Sequence, residues 1–305
     1  AMTVSLWEPL VGKDAADHIA AGHSLDEFRC KTTPDLLSFS QAMDAWRAWR
    51  ESEHVDPIPT PWYALNRHIA GGLHPSRLYV VGARTGAGKS VLGVNIAAHA
   101  ADLGHSSLVV SVEMPHIEIT SRVLAAQAHV SYGNITQRNF DADAVAIDQY
   151  IADHRQMPLY ICDKATITME EVMMKCRMLR NAAGLELAFI DYAQLISPST
   201  KSVPRQEQVS HIARSAKLLA MELNIPVILA AQLNRNADGG DTPRAPRMTD
   251  LRESGELEQS ADVIILLDRD EVTGNIVVSV PKNRTGQPAT LFLRATFDQA
   301  RMDSH

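Results

Sequence analysis

The sequence has few cysteines and no long apolar run, and both shortages exclude whole classes of protein. Three cysteines occur among the 305 residues, an odd number with no C-x-x-C spacing, which is typical of reduced thiols that pack in a cytosolic protein. The apolar runs are strand-like pieces such as VIILL at residues 263–267, far shorter than the roughly 18 to 20 residues that span a bilayer. The N-terminus lacks the basic, apolar and small-residue order of a signal peptide. We therefore expect a cytoplasmic protein with no membrane partner.

Positive charge is also scarce, and this bears on nucleic acid as a partner. The formal net charge is −7 and no basic tract occurs, so the surface as a whole is not expected to attract DNA. Small basic clusters lie in segments rich in serine, proline, glycine or asparagine, and solvated loops usually explain such clusters. Any DNA contact must therefore be local. The members of these clusters are Lys201, Arg205, Arg235, Arg244 and Arg247.

From residue 78 onward, short apolar runs alternate with helical stretches. The apolar runs lie at residues 78–81, 107–112, 158–162, 187–191, 226–231 and 263–267. The helical stretches lie near residues 90–102, 115–129, 143–154, 168–183 and 204–223. This alternation predicts an α/β fold with a mostly parallel central sheet and helices on both faces. The tail has two β runs joined by the turn-rich NRTGQP, which predicts a C-terminal β-hairpin at the sheet edge.

The first 60 residues have a different pattern from the rest. Residues 1–33 predict only a short polar helix and a turn, and they are too few to build a core of their own. Residues 34–53 predict an amphipathic helix, because apolar residues recur at spacings of three and four. HVDPIPTPW at 54–62 then predicts an extended, proline-rich linker. The apolar face of the helix comprises Leu36, Phe39, Met43 and Trp46, with Trp49 nearby.

A glycine-rich stretch, GARTGAGKS at residues 82–90, lies between an apolar strand and a helical run. A flexible turn is one explanation, but these flanks favour a phosphate-binding loop, whose backbone N–H groups surround an anion at a helix N-terminus. In such a loop Lys89 would neutralise the β- and γ-phosphates and Ser90 would hold Mg²⁺. The residues predicted to contact the nucleotide are Arg84, Thr85, Gly86, Ala87, Gly88, Lys89, Ser90 and Val91.

Hydrolysis needs a metal-binding carboxylate and a group that activates water, and two strand ends supply candidates. Asp191 ends the apolar run LAFID, where open α/β sheets place their ligand groups. Glu113 follows the run SLVVSV and would stand beside the loop to orient a water. Taken alone, Asp191 fits a strand-end turn equally well and Glu113 fits a helix cap. Their occurrence with the glycine-rich loop, at three strand ends, favours a catalytic role.

Six motifs now follow one another in an informative order. They are ARTGAGKS, SVEMP, LAFIDYAQLI, RQEQVSHIARSAKLLAMELNIPVILAAQLNR, DLRESGELEQSADVIILLDRDE and KNRTGQP. Together they resemble the C-terminal RecA-like motor of bacterial DnaB-type replicative helicases and their phage relatives, over about residues 58–300. The resemblance implies a RecA-like P-loop NTPase fold at residues 61–305, with ATP or another NTP and Mg²⁺ as cofactors. It also implies a homo-oligomer, expected to be a hexameric ring.

The resemblance implies a role for each matching residue. Lys89 and Ser90 match the phosphate and metal positions, Asp191 matches the magnesium-linked aspartate, and Glu113 matches the catalytic glutamate. Gln232 in AAQLNR matches the glutamine that senses the γ-phosphate and links it to DNA contacts. The two remaining matches, Lys282 and Arg284 in PKNRTG, correspond to the lysine and arginine finger that reach a neighbouring subunit's nucleotide. Without the resemblance, these two would be ordinary hairpin charges.

The resemblance also gives the basic clusters a place. Segments 197–206 and 235–250 follow the Asp191 and Gln232 strands, and the corresponding loops of the family line a central channel that holds single-stranded DNA. Because phosphate contacts do not depend on sequence, a few basic residues per subunit suffice in a ring. We therefore predict that the five cluster residues, Lys201, Arg205, Arg235, Arg244 and Arg247, contact DNA.

The N-terminal segments match neighbouring parts of such helicases. GKDAADHIAAGH resembles the segment that ends the toprim-like fold of phage primase-helicases, so residues 1–33 are expected to be a remnant of that region without priming activity. Residues 34–60 match the linker helix and its tether, and the helix either packs in a core or docks on an adjacent motor domain. A metal site is a weaker alternative to a solvated helix for the remaining polar cluster, Asp14, Asp17, His18 and His23.

The sequence thus predicts a ring-forming, Mg²⁺-dependent NTPase that moves on single-stranded DNA and unwinds replication forks. A primase, a loader or a polymerase would be a further partner. The site of action would be the bacterial cytosol, or the host cytosol for a phage protein. One alternative is a RecA-like recombination or DNA-remodelling ATPase that binds strands without processive unwinding. Another is a nucleotide-binding module without catalysis, which Glu113 disfavours.

Overall fold

The computed structural model describes residues 7–8, 15–24, 29–30, 37–51, 56–197, 204–233, 244–251, 255–270, 272–284 and 286–304. The chain divides into two compact units, Ala1–Val55 and Asp56–His305. The predicted boundaries after residues 33 and 60 remain predictions. Within the described ranges no helix is both long and apolar enough to cross a bilayer.

In its described residues, the first unit has two short strands and two helices. Strand β1 (Trp7–Glu8) pairs antiparallel with β2 (Arg29–Cys30), and helix α1 (Ala15–Ala20) lies between them in the chain. Helix α1 is not wholly solvated, because His18 is buried with its Nε2 2.9 Å from the carbonyl oxygen of Ser24. Among the described residues no group of three potential metal ligands occurs.

Helix α2 (Phe39–Glu51) lies within the predicted amphipathic stretch, residues 34–53. It buries no side chain, and Phe39 is 79% and Trp49 67% exposed. A buried core position for α2 therefore stays a prediction. Docking of the apolar face on another motor domain remains a prediction.

The second unit alternates strands and helices as the sequence predicts. In chain order its elements are α3 (Tyr63–His68), β3 (Leu78–Ala83), α4 (Lys89–Asp102), β4 (Ser107–Ser111), α5 (His116–Gln127), α6 (Tyr132–Gln137), α7 (Ala144–Asp153), β5 (Leu159–Cys162), α8 (Met169–Ala183), β6 (Leu187–Asp191), α9 (Arg205–Leu223), β7 (Val227–Gln232), α10 (Gly255–Ser260), β8 (Val263–Arg269), β9 (Ile276–Asn283), β10 (Ala289–Thr296) and β11 (Arg301–Ser304). The six predicted strands and five predicted helices all occur within about two residues of their expected ends. The prediction did not include α3, α6, α10 and β11.

These strands form one sheet in the order β11-β10-β9-β8-β3-β7-β6-β4-β5. All pairings from β8 to β5 are parallel, which confirms the mostly parallel sheet. The pairings among β8, β9, β10 and β11 are antiparallel, so the predicted C-terminal hairpin is present and β11 extends it. Hydrogen bonding between strands thus joins the C-terminal part directly to the parallel sheet.

The central strands are buried on both faces, which is why they are apolar along their whole length. Every residue of β3, β4 and β6 is buried. One face packs against α4 and α5 and the other against α8 and α9. Helix α4 approaches β6 so closely that a Cβ atom on Gly93 would lie 2.0 Å from the Phe189 ring. This glycine allows the helix that follows the phosphate-binding loop to lie directly on the sheet.

The parallel strands give the sheet two chemically different edges. We call the edge at the C-terminal ends of β3, β4, β6, β7 and β8 the carboxyl edge, and the opposite one the amino edge. Open α/β sheets bind ligands at the carboxyl edge. Asp191 and Gln232 end β6 and β7 there, and the glycine-rich loop follows β3.

Candidate nucleotide-binding site

A cavity of ≈ 680 Å³ opens at the carboxyl edge of the sheet. It brings together residues from the loop after β3, the turn after β4, helices α5 and α6, the ends of β6 and β7, and the 3-10 turn after β10. The predicted site residues that line it are Arg84, Thr85, Gly86, Gly88, Lys89, Ser90, Val91, Glu113 and Gln232. Its size and its mixed lining suit a nucleotide.

Two glycines shape the loop that forms the floor of this cavity. Gly86 and Gly88 have φ values of 82° and 90°, in the left-handed region that favours glycine. Gly88 also packs tightly, since a Cβ atom there would lie 2.4 Å from Cε of Met302 and 3.0 Å from the Phe297 ring. Gly88 precedes the first residue of α4, so the backbone N–H groups at the start of a 14-residue helix point toward the loop. This geometry is suited to an anion.

Lys89, which lines the cavity, forms a buried ion pair with Asp191, the last residue of β6. The Lys89 Nζ lies 3.0 Å from Oδ1 of Asp191, and their side chains are 13% and 1% exposed. The ammonium also lies 4.2 Å from the centroid of the Tyr192 ring. The Lys89 side chain is thereby held in place, and the carboxylate of Asp191 balances its charge.

The other carboxylate oxygen of Asp191 differs from the first. Oδ2 is buried, and among the described residues no hydrogen-bond donor contacts it. A buried acceptor without a donor is rare in folded proteins, and oxygen atoms of this kind are the preferred ligands of Mg²⁺. Ser90 lines the cavity directly after Lys89. The residues present therefore fit a metal ion held by Asp191 and Ser90.

Glu113 lies exposed on the cavity wall, after the last residue of β4. Ser111 supports its turn, because the Ser111 hydroxyl accepts a hydrogen bond of 2.9 Å from the backbone N–H of Met114. The charge of Glu113 reaches Tyr192 across the cavity: burial raises the pKa of Tyr192, and the negative charges of Glu113 and Asp191 raise it further. Glu113 is thus close to the loop and open to water.

Gln232 connects β7 to the loop. Its side-chain Nε2 donates a hydrogen bond of 3.0 Å to Oγ1 of Thr85. Its backbone is held from the other side by Gln194, in the 3-10 turn Ala193–Leu195 that follows β6. One side-chain hydrogen bond thus joins the loop at Thr85 to the end of β7.

Seven further residues line the cavity that were not predicted as site residues: Ala83, Met114, Glu118, Arg122, Tyr132, Tyr192 and Phe297. Arg122 pairs with Glu118 at 2.8 Å, one helical turn away, and stacks over the Tyr132 ring at 5.1 Å. The Glu118 and Arg122 spacing is a signal that the sequence contains, because residues four apart share a helix face. Phe297 has no local signal, since it reaches the loop from the C-terminal strands.

Lys282 and Arg284 do not enter this cavity. Lys282 is the penultimate residue of strand β9, before Asn283, and Arg284 comes directly after the strand. This end of β9 is at the amino edge, because Lys282 pairs with Ile264 and Asn283 pairs with Val263 at the start of β8. Val263 also pairs with Tyr79 of β3, so Tyr79 marks the level of Asn283 in the sheet. Tyr79 lies four residues before the end of β3, where the glycine-rich loop begins, which is a distance of about 13 Å at roughly 3.3 Å per residue. Neither residue is therefore placed to reach the nucleotide site of its own chain.

At the amino edge both side chains have local partners. Lys282 Nζ donates a hydrogen bond of 2.5 Å to the carbonyl oxygen of Glu258, near the end of α10. Burial lowers the pKa of Lys282, and the nearby Arg284 lowers it further. Arg284 bonds to Oδ1 of Asp262 at 3.2 Å, and its side chain is 53% exposed. The guanidinium is thus oriented by Asp262 but accessible.

The predicted DNA-binding residues have different surroundings. Lys201 and Arg235 lie outside the described residues. Arg205 is the exposed first residue of α9, and Arg247 is exposed near residue 250. Arg244 forms a bidentate pair with the buried Asp250, at 2.9 and 2.7 Å, and its carbonyl oxygen accepts a hydrogen bond from Arg84. Arg244 thus has a structural role next to the loop, whereas a DNA contact for any of the five remains a prediction.

Comparison with known proteins identifies the family of this chain. The family model described as the DnaB-like helicase C terminal domain matches residues 57–303. The replicative DNA helicase DnaB of Leifsonia xyli subsp. xyli is 36% identical over 258 residues, which are 79% of this chain and 55% of that protein. The replicative DNA helicase DnaB of Geobacillus stearothermophilus is 34% identical over 249 residues, or 78% of this chain and 54% of that protein. The chain thus spans about half the length of these relatives.

Solved structures show the same architecture. A solved ATPase domain superposes with a TM-score of 0.79 at 25% identity, covering 89% of this chain and 100% of that domain. A DnaB-like replicative helicase, whose structure was solved together with a study of its interactions with primase, superposes with a TM-score of 0.77 at 25% identity. The superposition covers 88% of this chain and 70% of the helicase chain. These neighbours confirm the RecA-like ATPase fold. With the family match over residues 57–303, they show that the chain belongs to the DnaB-like helicase C-terminal domain family.

Proposed function

We propose that this protein is an NTP-hydrolysing motor that forms a ring, moves along single-stranded DNA and unwinds duplex DNA during replication. The observation that carries this proposal is the buried pair of Lys89, which lines a nucleotide-sized cavity, and Asp191, with one carboxylate oxygen left for a ligand. ATP or another NTP is the substrate, and Mg²⁺ is held by Ser90 and Asp191. Bound there, the metal supplies positive charge that offsets the charge developing on the phosphates.

The residues of this chain divide the remaining chemistry among themselves. The loop N–H groups and Lys89 bind the β- and γ-phosphates, which orients the terminal phosphate toward the open cavity. Glu113, exposed on the wall, accepts a hydrogen bond from a water and orients it toward that phosphate. Gln232 contacts Thr85 and so responds to whether the loop is filled. Tyr192 shields one side of Lys89 from solvent.

Completion of the site requires a second copy. Lys282 and Arg284 lie at the amino edge, away from the cavity of their own chain, which supports a role at the nucleotide of a neighbour. An arginine supplied in this way stabilises transition-state charge only after two subunits meet, which couples hydrolysis to assembly. The exposed apolar face of α2 supports assembly independently, because it presents Phe39 and Trp49 to solvent. A homohexameric ring is the form we propose.

The partners follow from the same family membership. Single-stranded DNA would pass the segments after β6 and β7, where the five predicted basic residues occur. A primase is a proposed further partner, because the solved relative named above was studied for its interactions with one. A loader or polymerase remains a prediction from the sequence, as does action in the bacterial or phage-infected cytosol.

The experiment that tests this function measures NTP turnover with and without single-stranded DNA, together with unwinding of a forked duplex. We expect DNA to stimulate turnover, and fork unwinding to require hydrolysis. Stimulated turnover without any unwinding would support the recombination or remodelling ATPase instead. Absence of turnover under all conditions would reject the motor and leave a binding module.

A further inference from the structure

The backbone ladder between β6 and β7 stops before the functional end of β7. These strands pair as Ala188 with Val227, Phe189 with Ile228 and Ile190 with Leu229. On its other side β7 continues three residues further, pairing with β3 up to Gln232 and Ala83. The peptide of Gln232 therefore has no strand partner on the β6 side within the described residues.

The side chain of Gln194 occupies that place. Its Oε1 accepts a hydrogen bond of 3.1 Å from the backbone N–H of Gln232, and its Nε2 donates one of 3.0 Å to the Gln232 carbonyl oxygen. A primary amide carries an N–H donor and a C=O acceptor as a peptide group does, and glutamine and asparagine are the two side chains that have one. Asparagine is one methylene shorter. Gln194 thus continues the ladder where the β6 backbone turns away.

This contact completes a chain of hydrogen bonds and short segments around the nucleotide site. Gln194 lies three residues after Asp191, whose carboxylate binds Lys89. Gln232 in turn donates its side chain to Thr85 of the loop. Fixing the Gln232 peptide at both its N–H and C=O restricts the directions that its side chain can take.

We propose that Gln194 is a positioning residue that holds Gln232 against the phosphate-binding loop, so that nucleotide state and DNA contact respond to each other. The inference rests on the proposed function. The predicted DNA-contacting segments follow β6 and β7, and Gln194 joins the ends of these two strands. Without this joint, the loop and the segment after β7 respond separately.

The test uses the full chain and compares NTP turnover with and without single-stranded DNA. Gln194→Met keeps the length of the side chain but loses both hydrogen bonds, and Gln194→Glu keeps the acceptor while losing the donor. We expect Gln194→Met, which loses two hydrogen bonds, to reduce DNA-stimulated turnover about tenfold, and Gln194→Glu, which loses one, to reduce it about threefold. Turnover without DNA and nucleotide affinity should change less than about twofold. Leu195→Ala, on the same turn and with its native side chain exposed, is the matched control and should behave as wild type.

A double-mutant cycle separates positioning from general damage. If Gln194 acts through Gln232, Gln194→Met should cause no further loss of DNA stimulation in a Gln232→Ala background. Losses that multiply would overturn the inference, because they show independent action. A Gln194→Met variant with wild-type stimulation would overturn it as well.

Two further measurements keep the test decisive. Should Gln194→Met fail to fold, Gln194→Asn takes its place, with hydrogen exchange at the Gln232 amide as the direct readout. Faster exchange there, with unchanged exchange at Ala188–Ile190, supports the inference, and unchanged exchange at both contradicts it. A wild-type protein whose turnover ignores DNA counts against the proposed function. Stimulated wild type beside a normally stimulated Gln194→Met counts against this inference alone.

Discussion

The two edges of the sheet each contain a buried aspartate, and the two have opposite surroundings. At the carboxyl edge, Asp191 has one oxygen paired with Lys89 and one oxygen with no donor among the described residues. At the amino edge, Asp262 is fully bonded: Oδ2 accepts from the Leu78 N–H at 2.8 Å and from Lys217 at 2.7 Å, and Oδ1 accepts from Arg284. Both carboxylates are almost wholly buried.

The difference teaches how to tell a structural carboxylate from one kept for a ligand. A buried carboxylate destabilises the fold unless its oxygen atoms accept hydrogen bonds or bind a cation. A buried carboxylate oxygen without a donor from the protein therefore indicates that a ligand binds there. Asp262 joins β3, α9 and the end of β9 and leaves nothing over. Asp191 is bonded through Oδ1, to Lys89, while Oδ2 has no donor among the described residues. Burial alone does not distinguish the two.

The largest expected effect comes from removing the lysine partner at each edge. Lys89→Ala should reduce NTP turnover at least ~100-fold, because the phosphates lose their cation. Lys217→Ala should keep turnover within a few-fold and instead lower thermal stability, because Asp262 loses a bond. Steady-state turnover and melting temperatures of both variants test this contrast. Equal losses of turnover would mean that both edges serve the chemistry directly.

The next effect concerns the arginine at the amino edge. Arg284→Ala should leave nucleotide affinity of the chain unchanged but reduce turnover in the assembled protein about 1,000-fold, the magnitude of an arginine supplied in trans. Mixing Arg284→Ala with Lys89→Ala subunits should restore part of the turnover, since one copy then supplies the loop and the other the finger. Robust turnover by Arg284→Ala alone would rule out the shared site.

A third prediction exchanges each aspartate for asparagine. Asp262→Asn should lower the free energy of unfolding by about 3 kcal/mol, because Lys217 loses its buried counter-charge. Asp191→Asn should lower it by less than Asp262→Asn does, because Lys89 loses its buried counter-charge but the unsatisfied second carboxylate oxygen is removed as well, while turnover falls at least ~100-fold. Denaturant titrations at neutral pH measure both. A larger stability loss for Asp191→Asn would reverse the comparison.

The smallest effect comes from a third buried aspartate, Asp250, which lies near the loop but is fully paired. Burial raises its pKa, yet the Arg244 guanidinium and the Arg247 N–H outweigh this and lower it below 3.8. Because the folded pKa is depressed, the pairing stabilises the fold above pH 3.8 and this contribution disappears as the pH falls through the lowered value.

The Arg244→Met variant should therefore have a lower free energy of unfolding than wild type at pH 7. This difference in free energy, the gap, should narrow below about pH 3.8 as Asp250 is protonated. Chemical denaturation at the two pH values measures the gap, and Arg247→Met is the control that keeps the ion pair. A gap that does not depend on pH would show that packing of Arg244, and not its charge, supports Asp250.

Local pattern predicted the parts of the molecule that local chemistry determines. The buried strands are apolar along their length, and the glycine-rich loop, Glu113 and Asp191 each sit at a strand end, so both the sheet and the site could be placed. Gln232, Lys282 and Arg284 required the family resemblance, because nothing in their neighbourhoods distinguishes them from ordinary polar residues.

What the sequence could not predict depends on contacts between distant segments. Phe297 lines the nucleotide cavity although it belongs to the last part of the sheet, and Asp262 looks like a turn residue before an apolar strand. Gln194 stands in YAQLI without any marker of its bonds to Gln232. Short elements such as α6 and β11 were missed because six or fewer residues carry little periodicity.

The tight contact of Gly88 with Met302 and Phe297 has a consequence for protein synthesis. The side chains that pack against Gly88, at the end of the phosphate-binding loop, lie more than two hundred residues later in the sequence and are therefore synthesised much later. Such long-range closure is slow to form, because the intervening chain must be ordered first. A nascent polypeptide should therefore capture nucleotide only after its final strands have emerged and docked, which delays the active state until a whole motor domain exists.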